Sequence, residues 1–174
     1  RVLNKDDELG RSLSEKYTDA ITYGTDSSCS LQVRDVRAAA SETTFRITTS
    51  GQSATLRTPL IGAHNIYNIA AGLCTVADKL PPCRWNQAVK GFRGTRGRVE
   101  KISGRGIDVF VDYAHTPAAL NCVLRSLREI TPKKIITVFG CGGDRDKGKR
   151  ALMGRTAETY SDVLILTSDN PRSE

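Results

Sequence analysis

Long apolar runs are missing from this chain. Nothing in its 174 residues approaches the roughly 18 consecutive apolar residues of a bilayer-crossing helix, so membrane insertion is not expected. Cysteine is sparse and odd in number: Cys29, Cys74, Cys83, Cys122 and Cys141. The odd count and the lack of paired metal-type spacing argue against a disulfide framework and a zinc site. Buried thiols in a reducing compartment are the expectation, which favours the cytoplasm, and no metal-ligand set is assigned. Aromatic residues make up only 6% of the chain, too few for an obvious base-stacking platform. Blocks of about five or six like charges are absent too, and Lys and Arg are spread along the sequence. The net charge of +7 therefore fits small anionic ligands, phosphates and carboxylates, better than nucleic acid, because several Arg stand beside Gly in predicted loops. A basic nucleic-acid-binding module is the competing reading.

What is present suits a globular chain, with 39% hydrophobic and 26% charged residues. Leu3 reads as the end of a strand. Residues 6–16 are predicted helical, with Asp6, Asp7 and Glu8 at the positive end. Residues 21–23 and 31–36 read as short strands. Residues 43–49 and 54–58 are β-rich stretches around a hairpin signal at Ser50, Gly51, Gln52 and Ser53. Apolar residues at Ile66, Ile69, Ala70, Leu73, Val76, Ala77 and Leu80 predict an amphipathic helix over 65–79. Pro81 and Pro82 break it, a short helix follows over 85–92, and the Gly- and Arg-rich stretch 91–98 reads as a junction.

Beyond the junction, a turn at residues 103–106 leads into a strand over 106–111. Thr116 and Pro117 then start a helix, as cap and first helical residue. A strand over 134–139, a Gly-rich loop over 140–149, a helix over 150–160 and a strand over 163–166 complete a β-α-β-α-β order. That order predicts an α/β fold with a doubly wound, parallel sheet. Ligands of such sheets bind beyond the carboxyl ends of the strands. The residues expected there are three polar clusters, 112–115, 140–146 and 168–172.

Each motif has a bland reading beside a chemical one. Residues 143–150, G-D-R-D-K-G-K-R, nearly match the phosphate loop G-x-x-x-x-G-K-S/T, but Arg150 stands where the hydroxyl should be, and Asp144 and Asp146 would repel a polyphosphate. A basic loop in which Arg145 forks a carboxylate is the better reading. A self-contained P-loop hydrolase is the alternative. In G-A-H-N-I-Y-N at 62–68, Asn65 can simply cap a helix and His64 can be packing. Asp112, in D-Y-A-H-T-P at 112–117, either accepts ribose hydroxyls or belongs to a capped strand-to-helix turn with His115 solvated.

Taken in order, these motifs resemble the Mur ligases, and within them the type that adds diaminopimelate. N-K-D-D at 4–7 is similar to the N-x-D-D of the family's central ATPase domain, and G-A-H-N-I-Y-N to its H-N-x-x-N motif. G-R-V-E at 97–100 resembles the G-R-x-E that opens the C-terminal domain. D-Y-A-H-T-P, G-C-G-G-D-R-D-K-G-K-R at 140–150 and S-D-N-P-R-S-E at 168–174 are close to family signatures. Arg96 and Ala151 depart from the family's usual Pro, at positions without an assigned role.

The resemblance implies the end of an ATPase domain over 1–96 and a doubly wound, incomplete amino-acid-binding domain over 97–174. It implies an ATP- and Mg2+-dependent amide ligase that joins meso-diaminopimelate to UDP-N-acetylmuramoyl-dipeptide through an acyl phosphate, in peptidoglycan precursor synthesis. It places His64, Asn65 and Asn68 near adenine, Arg98 and Asp112 on ATP, and Arg145, Asp169, Asn170 and Arg172 on the incoming amino acid. A monomer is expected. The chain is expected to be a fragment, inactive alone, with the family's phosphate loop and carbamylated lysine outside it. Asn170 carries the specificity expectation, because the lysine-adding relatives resemble D-D-P-R there, and an Asp would repel the additional carboxylate of diaminopimelate.

Overall fold

The structure, a computed structural model, describes residues 1–77, 79–104 and 106–174. Asp78, in the helix predicted over 65–79, and Arg105, in the turn predicted at 103–106, lie outside the described residues. The chain forms two compact units, residues 1–94 and 95–174.

In the first unit, β1 (Val2–Asn4), β2 (Ile21–Gly24), β3 (Leu31–Ala38), β4 (Thr43–Thr49) and β5 (Gln52–Thr58) form one sheet in chain order. β1, β2 and β3 pair in parallel, whereas β3, β4 and β5 pair antiparallel. The parallel pair β1–β2 is bridged by α1 (Glu8–Lys16), which Asp7 caps by accepting from Gly10 N at 3.0 Å. β4 and β5 need only the turn Ser50-Gly51, with φ of 46° and 76°, the left-handed pair that a two-residue hairpin requires. The core joins Leu31, Val33, Phe45, Ile47 and Leu56 of the sheet to Ile66, Ala70, Leu73 and Cys74 of α2 (Ala63–Val76) and to Trp85 and Val89 of α3 (Pro82–Gly91). The helical positions follow spacings of three and four, so one face of each helix is apolar.

Of the boundaries that differ from expectation, two have clear local reasons. Asn65 does not cap α2. Gly62 occupies the cap at φ 94°, and Asn65 Nδ2 donates back to the carbonyl of Ile61 at 2.7 Å. Pro82 opens α3, because its fixed φ suits the first helical turn and its missing N–H has no partner to lose there.

In the second unit, β6 (Glu100–Gly104) and β7 (Ile107–Val111) form an antiparallel pair, and β8 (Ile136–Phe139) and β9 (Val163–Leu166) a parallel one. β6 was not foreseen. Among the described residues the ladder partner of β7 is β6, and the parallel ladder of the β-α-β-α-β order lies between β8 and β9. α4 (Pro117–Ile130) packs on α5 (Gly148–Tyr160). Thr116 caps α4, accepting from Ala119 N at 3.2 Å. Arg128 Nη2, near the end of α4, reaches Tyr160 O at 2.6 Å and Asp162 Oδ2 at 2.7 Å, and Asp162 Oδ2 also accepts from Ile135 N at 2.7 Å. The Arg128 hydrogen bond holds the Asp162 carboxyl below its usual range. This node fixes the starting ends of β8 and β9, and therefore where their carboxyl ends finish. Ile136, Val138, Val163 and Ile165 share one face of that pair and are exposed. The class is α/β with mostly parallel pairing outside the two antiparallel stretches. Among the described residues no helix is long and apolar enough to cross a membrane.

Candidate functional site

Because β8 and β9 are parallel, with Phe139 opposite Leu166, the loops 140–147 and 167–174 leave the same edge together. Backbone bonds tie them: Thr167 N donates to Phe139 O at 3.1 Å and Gly143 N to Asn170 O at 2.8 Å. The approach is close enough to demand glycine at 143, where a Cβ would lie 1.9 Å from the carbonyl oxygen of Pro171. Side chains complete the joint. Asp144 Oδ2 accepts from Ser173 N at 3.1 Å and from Ser173 Oγ at 2.5 Å. Glu174 Oε1 accepts from Asp144 N at 3.2 Å and meets Lys147 Nζ at 3.2 Å, while Oε2 meets Arg150 Nη2 at 2.6 Å. Arg150, helped by Lys147 and the Asp144 N–H against a smaller burial effect, brings the Glu174 carboxyl down to about 2.

The four residues expected on the amino acid ride on these two loops, and all are exposed. Asp169 Oδ1 accepts from Asn170 N at 2.8 Å, and Asn170 Oδ1 accepts from Arg172 N at 3.2 Å. The oxygen of the Asn170 amide is thus engaged, and Nδ2 is the end left to donate. Arg145 and Arg172 make no ion pair among the described residues, unlike Lys147 and Arg150.

The phosphate-loop alternative fares poorly in this geometry. The amides it would turn toward a phosphate are taken internally: Gly143 N by Asn170 O, Asp144 N by Glu174, and Gly148 N by Asp146 Oδ1 at 2.8 Å. Lys149 Nζ donates to His115 O at 2.8 Å.

The end of β7 holds the second cluster. Asp112 Oδ2 accepts from Val99 N at 2.8 Å and Oδ1 from Ala114 N at 2.7 Å. The turn reading of this motif is therefore real, yet a carboxylate has about four lone-pair sites, so roughly two stay open. Val99 sits at φ 48°, an outlier for a β-branched residue, and Asp112 helps to hold it there. Gly97 N donates to Glu100 Oε2 at 2.8 Å, closing the same turn. Arg98 is exposed, its guanidinium 4.9 Å from the Tyr113 ring centroid, and the His115 ring lies 5.0 Å from Tyr113 on centroids.

In the first unit, His64 is half-buried and Asn68 exposed on α2, and Asn65 is turned back to Ile61. Sequence reading gave Tyr67 no role and set Asp6 inside the first helix at its positive end, whereas that helix starts at Glu8 with Asp7 as its cap and Asp6 is free to bond elsewhere. Asp6 Oδ2 accepts from Thr25 N at 2.9 Å and from the Tyr67 hydroxyl at 2.8 Å, and Oδ1 accepts from Thr25 Oγ1 at 3.0 Å. Burial, then the Asp6 carboxylate, push the Tyr67 hydroxyl up to about 12. One bond therefore joins N-K-D-D to H-N-I-Y-N. An open depression of about 680 Å³, lined by Lys5, Asp6, Arg11, Ser14, Asp26 and Ser28 among others, lies at the carboxyl ends of β1 and β2.

Comparison with known proteins adds to this geometry. A family model described as Mur ligase, glutamate ligase domain matches residues 97–174, and one described as Mur ligase middle domain matches residues 1–76. The UDP-N-acetylmuramoyl-L-alanyl-D-glutamate--2,6-diaminopimelate ligase of Clostridioides difficile (strain 630) is 38% identical over 180 residues, covering 99% of this chain and 37% of that protein. A solved structure bearing the same ligase name is 33% identical with a TM-score of 0.70, covering 99% of this chain and 37% of its own. A MurF ligase from Thermotoga maritima in complex with ADP shares the fold at 15% identity and a TM-score of 0.71, over 97% of this chain and 43% of its own. The chain thus spans little more than a third of the length of the curated relative it matches.

Proposed function

The chain belongs to the Mur ligase family, and from that premise we propose that it is part of an ATP-dependent amide ligase that adds meso-diaminopimelate to UDP-N-acetylmuramoyl-L-alanyl-D-glutamate. The reaction phosphorylates the D-glutamate carboxylate with ATP. The amine of the incoming amino acid then displaces phosphate from the acyl phosphate, leaving an amide and ADP. Residues 1–96 supply the end of the ATP-binding domain and 97–174 the start of the amino-acid-binding domain. The protein works as a cytoplasmic monomer on these small substrates, without nucleic acid.

The residues present fit a nucleotide. Arg98 offers an exposed guanidinium in the segment that Asp112 fastens, and Asp112 keeps lone pairs for ribose hydroxyls. His64, Asn65 and Asn68 are the polar residues of α2 proposed for adenine. Magnesium would come with the nucleotide phosphates; among the described residues no group of three or more His, Cys, Asp or Glu could hold a metal ion by itself. The work of this chain is to bind and orient.

The observation that carries the amino-acid assignment is the Asn170 turn. Arg172 N fixes the Asn170 oxygen, so the outward atom is an amide donor, suited to a carboxylate. Arg145 and Arg172 add forks for the same charge, and Asp169 shapes the turn by holding Asn170 N. In Asn170→Asp the same backbone bond would leave a carboxylate oxygen pointing outward. The test is amide formation by a full-length ligase carrying this sequence, with diaminopimelate and lysine as rivals. Wild type is expected to prefer diaminopimelate, and Asn170→Asp to lose at least about tenfold of that preference. A wild-type preference for lysine, or an Asn170→Asp enzyme that uses diaminopimelate as before, refutes the assignment.

A further inference from the structure

We propose that Glu174 is a positioning residue for the incoming amino acid, one that locks the loop after β8 to the loop after β9 and leaves Arg145 and Arg172, one on each loop, without an ion pair among the described residues. The inference rests on the ligase reading above. Five cationic side chains crowd this edge: Arg145, Lys147, Lys149, Arg150 and Arg172. Lys149 Nζ is tied to the His115 carbonyl at 2.8 Å. Glu174 takes Lys147 and Arg150 with separate oxygens, at 3.2 and 2.6 Å. Arg145 and Arg172 remain, one from each loop. A single carboxylate thereby decides which cations are available to a substrate carboxylate.

The same residue also sets the spacing. Glu174 Oε1 accepts the Asp144 amide, and Asp144 Oδ2 returns the contact through Ser173 N and Oγ. The exchange is reciprocal, each loop donating to a carboxylate on the other. Asp144 and Arg172 both hold left-handed backbone, at φ 51° and 53°, a conformation that non-glycine residues keep only when their surroundings enforce it. Arg145 follows the first of these and Arg172 is the second, so their directions depend on the clasp. A displacement of about 1 Å at a positioning contact is enough to degrade a bound geometry.

The experiment is kinetic, on a full-length ligase carrying this sequence. Glu174→Gln keeps the shape and removes the charge. The apparent KM for the amino acid should rise roughly ten- to a hundredfold, the apparent KM for ATP should stay within about twofold, and kcat should fall far less than KM rises. Asp144→Asn should act the same way, and the double variant should be little worse than the worse single one, because both break one device. Should Glu174→Gln not fold, Glu174→Asp keeps the charge but shortens the reach, and an intermediate KM is expected. An unmoved amino-acid KM, or ATP and amino-acid KM rising together, overturns the proposal. If wild type forms no amide with any amino acid, the ligase reading fails. The clasp is then read from amide hydrogen exchange at Gly143 and Asp144, which Glu174→Gln should accelerate and which, if unchanged, overturns it too.

Discussion

Replacing Asp112 by Asn should loosen the start of the second unit and lower its melting midpoint, whatever it does to nucleotide. The carboxylate accepts two backbone amides, Val99 N at 2.8 Å and Ala114 N at 2.7 Å. An amide side chain has one oxygen, so one N–H keeps a partner and the other faces an NH2 group. A hydrogen bond to a charged group contributes about 1.5–3 kcal/mol, and the survivor falls toward the neutral value of about 1 kcal/mol. Val99 also loses part of what holds its left-handed backbone, a conformation that costs of order 1–3 kcal/mol. Water can reach this half-buried turn and recovers some of the loss, which leaves a net cost of about 2 kcal/mol. For a domain of this size that lowers the melting midpoint by about 8–16 °C. The assay is thermal unfolding followed by far-ultraviolet circular dichroism, with amide exchange at Val99 and Ala114 as the local readout. A midpoint within about 2 °C of wild type, with unchanged exchange at both amides, would refute the reasoning. The result bears on function, because a slower Asp112 variant cannot be credited to lost ribose contacts unless it is assayed well below its own transition.

Further outcomes follow from other parts of the fold. Tyr67 should titrate near 12, and Tyr67→Phe should remove that phase from the absorbance change at about 295 nm. Because its folded value is raised, the stability it contributes is whole below about 10 and is lost as pH climbs through about 12, so Tyr67→Phe should flatten the alkaline fall in stability. On the β8–β9 pair, Val138 and Ile165 are exposed by 59% and 46%, and replacing both by Thr should reduce dye binding and aggregation of the chain. Equal aggregation of the double variant would locate the sticky surface elsewhere.

The sequence made some of this fold legible and hid the rest. The β4–β5 hairpin and the capped start of α4 were readable because Ser50-Gly51 and Thr116-Pro117 act through their own backbone. β6 was not, since Ile102 is exposed and the strand is held by its ladder to β7 rather than by burial, so no alternation marks it. The start of α2 was misread because Asn65 looks like a cap, whereas the unusual φ that ends the preceding segment belongs to Gly62. At the site, the strand-end clusters could be anticipated from the β-α-β-α-β order. Glu174 could not, because its partners Asp144, Lys147 and Arg150 lie far back in the chain and no periodicity connects them. The Asp6–Tyr67 bond was hidden for the same reason.

The ladder between β8 and β9 acts as a ruler with coarse divisions. Its rungs run from Ile136 opposite Val163 to Phe139 opposite Leu166, and the side chains on one face lie open to solvent. In most sheets a one-residue slip is forbidden by a buried face that would turn outward. Here the opposite face is covered, with Thr137 buried and Phe139 and Leu164 half-buried, and the register is held in addition by Thr137 on Ser161, by Asp162 beneath Ile135 and by the Gly143–Asn170 bond. A slip would move Asn170 by one whole division, about 3.3 Å, relative to Arg145. Errors at this proposed recognition edge therefore come in steps. A substitution at Asp162, which is none of the residues proposed to bind the amino acid, should yield two coexisting registers, one that keeps the proposed amino-acid preference and one that lacks it, rather than a single population with slightly blurred preference.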